Sequence, residues 1–253
     1  MKVCAAVLVA IGLVFSTGCA PENAVGIGDS APTAFSHELF DAVLQEHVGS
    51  HGLVDYAALR RDRARLDQYL DALARTDASS LPSREDRLAY WLNAYNAFTI
   101  AGVLDHYPVK SVQDVERFFK EQRYKAGGAR YSLDDIENAV IRPTFREPRI
   151  HFVLVCAAKS CPRLWSRAID PGTLEQRLEA SAKKFINSPA GARVDRTKKE
   201  LTLSALFKWY RTDFLGEADS LAGYVRRYLD DPPSDLAQYR VRFQAYDWSL
   251  NER

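Results

Sequence analysis

Methionine is almost missing from this chain: the only one is Met1. Once the first residues are removed with a leader, no thioether is left to bind a soft metal such as copper. Neither sign of charge is in excess. With 34 Lys and Arg against 33 Asp and Glu, the formal charge is +1, so the basic excess that nucleic-acid binding needs is absent. Cysteine is scarce, at four residues, which excludes a disulfide-dense miniature scaffold. After Pro32 there is no repeat, no low-complexity block and no internal linker. Gly127-Gly128 is the only glycine pair, and it lacks the spaced glycines and following Lys of a phosphate loop.

What the chain does have is an ordinary globular composition, 47% hydrophobic, enough for one sizeable core. Its start reads as a leader. Lys2 is followed by an apolar run from Val3 to Phe15, too short to span a bilayer comfortably. Ser16-Thr17-Gly18-Cys19 resembles a bacterial lipoprotein cleavage box, although Ser16 stands where Leu is usual. The expectation is therefore a signal peptide at 1–18, a lipidated Cys19 and a flexible tether at 19–33. The folded part then occupies 34–253, held at a membrane on the periplasmic side of a bacterial envelope. Ordinary secretion into the periplasm is the alternative. Losing Lys2 brings the formal charge to zero.

Hydrophobic spacing predicts helices over 34–48, from Tyr56 to Arg75, and from about Arg84 to His106. Asp55 is the expected cap of the second, and Ser83 to Asp86 the capping box of the third. The third is the strongest and has little surface suited to water. Asn93 and Asn96 sit on it, three residues apart on a shared face. Buried amides must be hydrogen-bonded, so they either tie the helix to neighbouring backbone or orient a catalytic group or substrate. A short helix from Ser111 to near Phe119 and a hairpin over 123–131 follow. Ser132 then caps a helix carrying Glu137, expected to stop at Pro143. Later come a helix over 173–186 and strands near 193–195 and 200–203. Helices from Ser204 and Leu221 precede a last strand at 239–245.

The segment 149–163 stands out. Its apolar run Phe152 to Val155 reads as a strand buried on both faces, opened by His151 and closed by Cys156. In a regular strand these two side chains point to opposite faces, so a bulge or bend is needed to bring them together. Cys4 leaves with the leader and Cys19 is assigned to lipid. Cys156 and Cys161 remain as an even pair able to form a short-loop disulfide.

Five stretches carry a family resemblance: Tyr90 to Phe98, Ser132 to Glu137, His151 to Pro162, Trp209 to Phe214, and Tyr246 to Asn251. In this order they closely resemble the domain of unknown function 547 family, over roughly Leu39 to Asn251. The family's general activity is not established, and many bacterial members look secreted or lipidated. The residues the resemblance singles out are Asn93, Asn96, Glu137, His151, Cys156 and Asp247.

The expected fold is α+β: a single, mostly helical domain around a small β-sheet. Three functions compete. The first is a thiol-dependent hydrolase or acyl transferase. Cys156 would be its nucleophile and His151 or Lys159 its activator, with Glu137, Asn93, Asn96 or Asp247 orienting the His. The second is a non-enzymatic envelope module stapled by Cys156 and Cys161. The third, a zinc site on His151, Cys156 and Cys161, ranks last because the spacing and a fourth ligand are wanting. No cofactor is expected, and the substrate and any protein partner are left open.

Overall fold

Seventeen consecutive residues, Leu88 to Leu104, are buried on every face of the longest helix. The sequence explains this: alanines fill the positions between the large apolar residues, so neighbours can pack on all sides. In the computed structural model, which describes residues 34–253, this is helix α4, Arg84–His106, with three helices before it: α1 (Glu38–His47), α2 (Tyr56–Arg61) and α3 (Ala64–Arg75). The Ser83–Asp86 capping box closes both ways, worth about 1 kcal/mol. The expected leader, Cys19 and tether lie outside the described residues. Among the described residues, no helix is long and apolar enough to cross a membrane.

Three expected helices are broken, the one from Ser204 dividing at Tyr210 into Leu206–Trp209 and Arg211–Leu215. The helix predicted from Tyr56 to Arg75 divides at Asp62, whose φ of −119° and ψ of 54° leave the helical region. Asp55 caps α2 through Ala58 N–H, as the sequence indicates. The helix predicted after Ser111 is a 3₁₀ turn, Val112–Asp114, followed by turns.

The hairpin forms as β1 (Tyr124–Ala126) and β2 (Ala129–Tyr131), with Gly127 and Gly128 both at positive φ. Next comes α5 (Leu133–Asp135), a π-helical stretch Ile136–Ile141 and α6 (Arg142–Phe145). Pro143 was expected to stop the helix, yet the chain winds on to Phe145. Pro143 lies in the first turn of α6, where a missing N–H is tolerated. The turn before it loosens instead, with Arg142 N–H bonding the Glu137 carbonyl five residues back.

The remaining elements are α7 (Leu174–Ile186), β3 (Ala192–Asp195), β4 (Glu200–Leu203), α8 (Leu206–Trp209), α9 (Arg211–Leu215), α10 (Leu221–Arg226) and β5 (Arg240–Phe243). β4 lies between antiparallel β3 and parallel β5. The fold class is α+β, as expected, but the described residues form two small sheets.

The strand predicted at 152–155 does not form. Pro148–Phe152 is a 3₁₀ helix, Val153 turns the chain, and Leu154 to Cys156 follow without joining either sheet. Such a buried segment needs other hydrogen-bond partners, and Asn96 on α4 supplies them. Its Oδ1 accepts from Val155 N–H at 2.9 Å and its Nδ2 donates to the Val153 carbonyl at 3.0 Å. One side-chain amide thus stands in for a neighbouring strand.

The described residues hold two apolar clusters. One is built around α4, the other around α7, the second sheet and α8–α10. Segment 148–156 runs at their junction: Ile150 and Val153 belong to the first cluster and Phe152 to the second.

Candidate functional site

The junction holds a cavity of about 610 Å³. Glu137, His151, Cys156 and Cys161 all line it. The expected regular strand would have sent His151 and Cys156 to opposite faces. The 3₁₀ turn ending at Val153 removes that alternation and lets both side chains reach one cavity.

His151 is 2% exposed and tightly held. Asp213 Oδ2 on α9 accepts from its Nε2 at 2.8 Å. Arg142, from α6, forks onto the same carboxylate with two bonds of 2.7 Å. Burial pushes the Asp213 carboxyl up, but His151 and Arg142 outweigh it and hold the group well below the usual carboxylate range. Tyr210 stacks on the imidazole with ring centres 3.7 Å apart, and Arg142 lies over the other partner of that stack, 5.3 Å from the Tyr210 ring. The second imidazole nitrogen, Nδ1, is buried without a hydrogen-bond partner. It faces Glu137 Oε1 at 3.6 Å, too long for a hydrogen bond.

Glu137 itself is 7% exposed and belongs to the π-helical stretch, a kind of irregularity frequent at functional sites. Three tyrosines sense it. Burial raises the hydroxyls of Tyr95, Tyr210 and Tyr246, and the negative charge of Glu137 raises them further.

Cys156 and Cys161 are at disulfide-bond distance. Cys156 is half-buried, whereas Cys161 is buried. The Tyr246 hydroxyl stands 3.3 Å from each sulfur. The loop between the sulfurs turns at Ala157, whose φ of 63° costs about 1 kcal/mol for a residue other than glycine. The C-terminal strap holds this loop in place. Asn251 N–H bonds the Ala157 carbonyl, Lys159 N–H bonds Ser249 and Ser160 N–H bonds Asp247. That strap also brings Tyr246 and Trp248, which with the 46% exposed Trp209 form an aromatic rim. Tyr246 packs 4.8 Å from Trp209 and 4.7 Å from Trp248, ring centre to ring centre.

The other expected site residues lie elsewhere. Both asparagine side chains are used as backbone clamps: Asn93 grips Ile169 through its carbonyl and N–H at 2.8 and 2.9 Å, as Asn96 grips 153–155. Asp247 is exposed, and the Ser249 side chain, followed by the Ser249 backbone N–H, lowers its pKa. The group that orients His151 is Asp213, which the sequence reading did not single out. It sits inside the Trp209 to Phe214 stretch, a polar residue among aromatics, and that was its signal. Arg142, Tyr210 and Tyr246 were likewise missed.

The zinc set of His151, Cys156 and Cys161 does not fit this arrangement. The two sulfurs are bound to each other, and His151 Nε2 already donates to Asp213. Among the described residues, Glu46, His47 and Asp62 bring three donor atoms within 4.8 Å of one another, but two of the three are exposed.

Residues 79–186 match the family model described as "Protein of unknown function, DUF547". That match supports the domain family. No curated protein and no solved structure matches the chain. The matched segment includes Glu137, Arg142, His151 and both cavity cysteines. Asp213 and the aromatic strap at Tyr246 lie beyond it, so the site is completed by chain outside the matched segment.

Proposed function

We propose that the cavity is the active site of a thiol-dependent hydrolase or acyl transferase, with Cys156 its nucleophile once the bond to Cys161 is reduced. The observation that carries this reading is the unpartnered, buried Nδ1 of His151 facing Glu137 at 3.6 Å in the wall that also holds Cys156. The free ring nitrogen and the buried carboxylate put two proton-accepting groups side by side in one wall. Glu137 and His151 are therefore arranged as one proton-handling unit, oriented by Asp213 and Arg142. Tyr246 touches both sulfurs and lines the same cavity as Glu137 and His151, so in this reading its hydroxyl relays the thiol proton to that unit.

In this reading the Cys156 thiol gives its proton to the Glu137–His151 unit through Tyr246. Sulfur then attacks a substrate carbonyl carbon. The leaving amine or alcohol takes the proton as its bond to the carbonyl carbon breaks, leaving a thioester on Cys156. Water or an acceptor alcohol or amine then attacks the thioester and restores the thiol. The aromatic rim suits a substrate with a flat or apolar portion. The membrane tether through Cys19 belongs to the same proposal and rests on the leader sequence alone; a Cys19→Ser variant is expected to move from the membrane to the soluble fraction.

A second reading is the stapled, non-enzymatic module. It is favoured by the closeness of the two sulfurs and by the structural use of Asn93 and Asn96. One experiment separates the two. The reduced full chain is mixed with an activated aryl ester, and acylated protein is read by intact mass. A thioester on Cys156 that disappears in Cys156→Ser supports the enzyme. No acylation in either redox state, with loss of stability when both cysteines are replaced, supports the module.

A further inference from the structure

The two sulfurs of the cavity are not equivalent. Cys156 is the more exposed, and Cys161 is 9% exposed. The hydrogen-bond donors are arranged in the opposite sense. Cys161 Sγ receives the Cys156 backbone N–H at 3.0 Å, which Cys156 Sγ does not, while the Tyr246 hydroxyl stands 3.3 Å from both sulfurs. Donors of this kind are what a thiolate needs in order to leave, because they stabilise the developing negative charge on sulfur. The loop that joins the sulfurs is bonded at Ala157, Lys159 and Ser160 to the C-terminal strap. Those bonds do not depend on the sulfurs, so breaking the S–S link leaves the two side chains facing each other. A purely structural staple has no use for a cavity that reaches both sulfurs, the more exposed Cys156 among them, with a backbone donor on Cys161 alone.

We infer that Cys156–Cys161 is a redox-active disulfide that exchanges with a low-molecular-weight thiol entering the cavity, Cys156 being the sulfur attacked and Cys161 the thiolate that departs. A cavity of about 610 Å³ admits a small molecule and excludes a folded protein. The exchange balances in two steps. The incoming thiolate bonds to Cys156 Sγ as the S–S bond breaks, and the electron pair goes to Cys161, held by the Cys156 N–H and Tyr246. A second molecule of thiol, as thiolate, then attacks the outer sulfur of the mixed disulfide and releases Cys156 as thiolate. Two small thiols are oxidised to their disulfide, and the protein disulfide is reduced to a dithiol. This sulfur chemistry stands whether or not Cys156 goes on to attack a carbonyl.

The test uses the full native chain and excess reduced glutathione without denaturant. Samples are quenched in acid and alkylated, and each cysteine is read by mass spectrometry. Wild type is expected to reach the dithiol. Offered oxidised glutathione, Cys161→Ser is expected to form its adduct at Cys156 at least about tenfold faster than Cys156→Ser forms one at Cys161. Tyr246→Phe, which keeps the ring and its packing, is expected to slow reduction about tenfold by removing one donor from the leaving sulfur. A disulfide that stays closed until denaturant is added overturns the inference. So does equal reactivity of the two cysteines, or an unchanged rate in Tyr246→Phe. No ester or amide substrate enters the assay, so its failure is distinct from failure of the hydrolase reading.

Discussion

Asp213 accepts a 2.8 Å hydrogen bond from His151 Nε2 across 62 positions of sequence, and Arg142 neutralises the same carboxylate from α6. The contact ties the segment Pro148–Phe152 to α9 and leaves His151 only one free nitrogen, the one that faces Glu137.

Asp213→Asn is expected to abolish most of the proposed acylation of Cys156, read by intact mass, while the fold persists. It also carries a pH signature. The folded pKa of Asp213 is depressed, so its contribution to stability is present above the ordinary carboxylate value of about 4 and is lost as pH falls below it. Chemical denaturation of wild type and variant between pH 7 and pH 3 checks this: the wild type should lose stability faster at the acid end. Parallel pH curves would separate Asp213 from that loss.

His37 gives the neighbouring pH window. It is buried, with Nδ1 2.8 Å from the Tyr69 hydroxyl, and burial lowers its pKa to about 4. A histidine kept neutral in the fold stabilises above its unfolded pKa of about 6.5, and that stability fades as pH falls towards the folded value. The full effect is on the order of 3 kcal/mol. In His37→Gln the slope of stability between pH 6.5 and 4 should flatten. A slope identical to wild type would mean that other groups carry it.

Asn96 tests the clamp on the segment that bears the site. Asn96→Leu keeps the volume but leaves Val153 carbonyl and Val155 N–H without partners. The expected loss is about 2–4 kcal/mol, read as a lower urea midpoint. A loss under about 0.5 kcal/mol, the scale of a neutral surface change, would show that the segment holds itself without the amide.

The outcome for segment 149–163 shows where sequence reasoning reaches its limit. Helix α4, its capping box, the Gly127-Gly128 hairpin and strands β3 to β5 follow from local spacing and were legible. The run Phe152 to Val155 has strand composition, but composition cannot tell a sheet neighbour from a side-chain amide. Asn96 satisfies that backbone from 57 and 59 residues away. The same distance in sequence hid Asp213, whose role exists only through contact with His151 and Arg142. The cysteine pairing was foreseeable from count and spacing. Its contact with Tyr246 was not, because that residue arrives on a strap 85 residues beyond Cys161.

The most direct test of the account is the alkylation rate of Cys156 in the reduced chain at pH 7, compared with Glu137→Gln and read by mass spectrometry. If Glu137 is part of the unit that accepts the thiol proton, Glu137→Gln should slow alkylation about tenfold or more. If Glu137 is only a negative charge near the sulfur, removing it should favour the thiolate. An unchanged or faster rate would therefore contradict the active-site account.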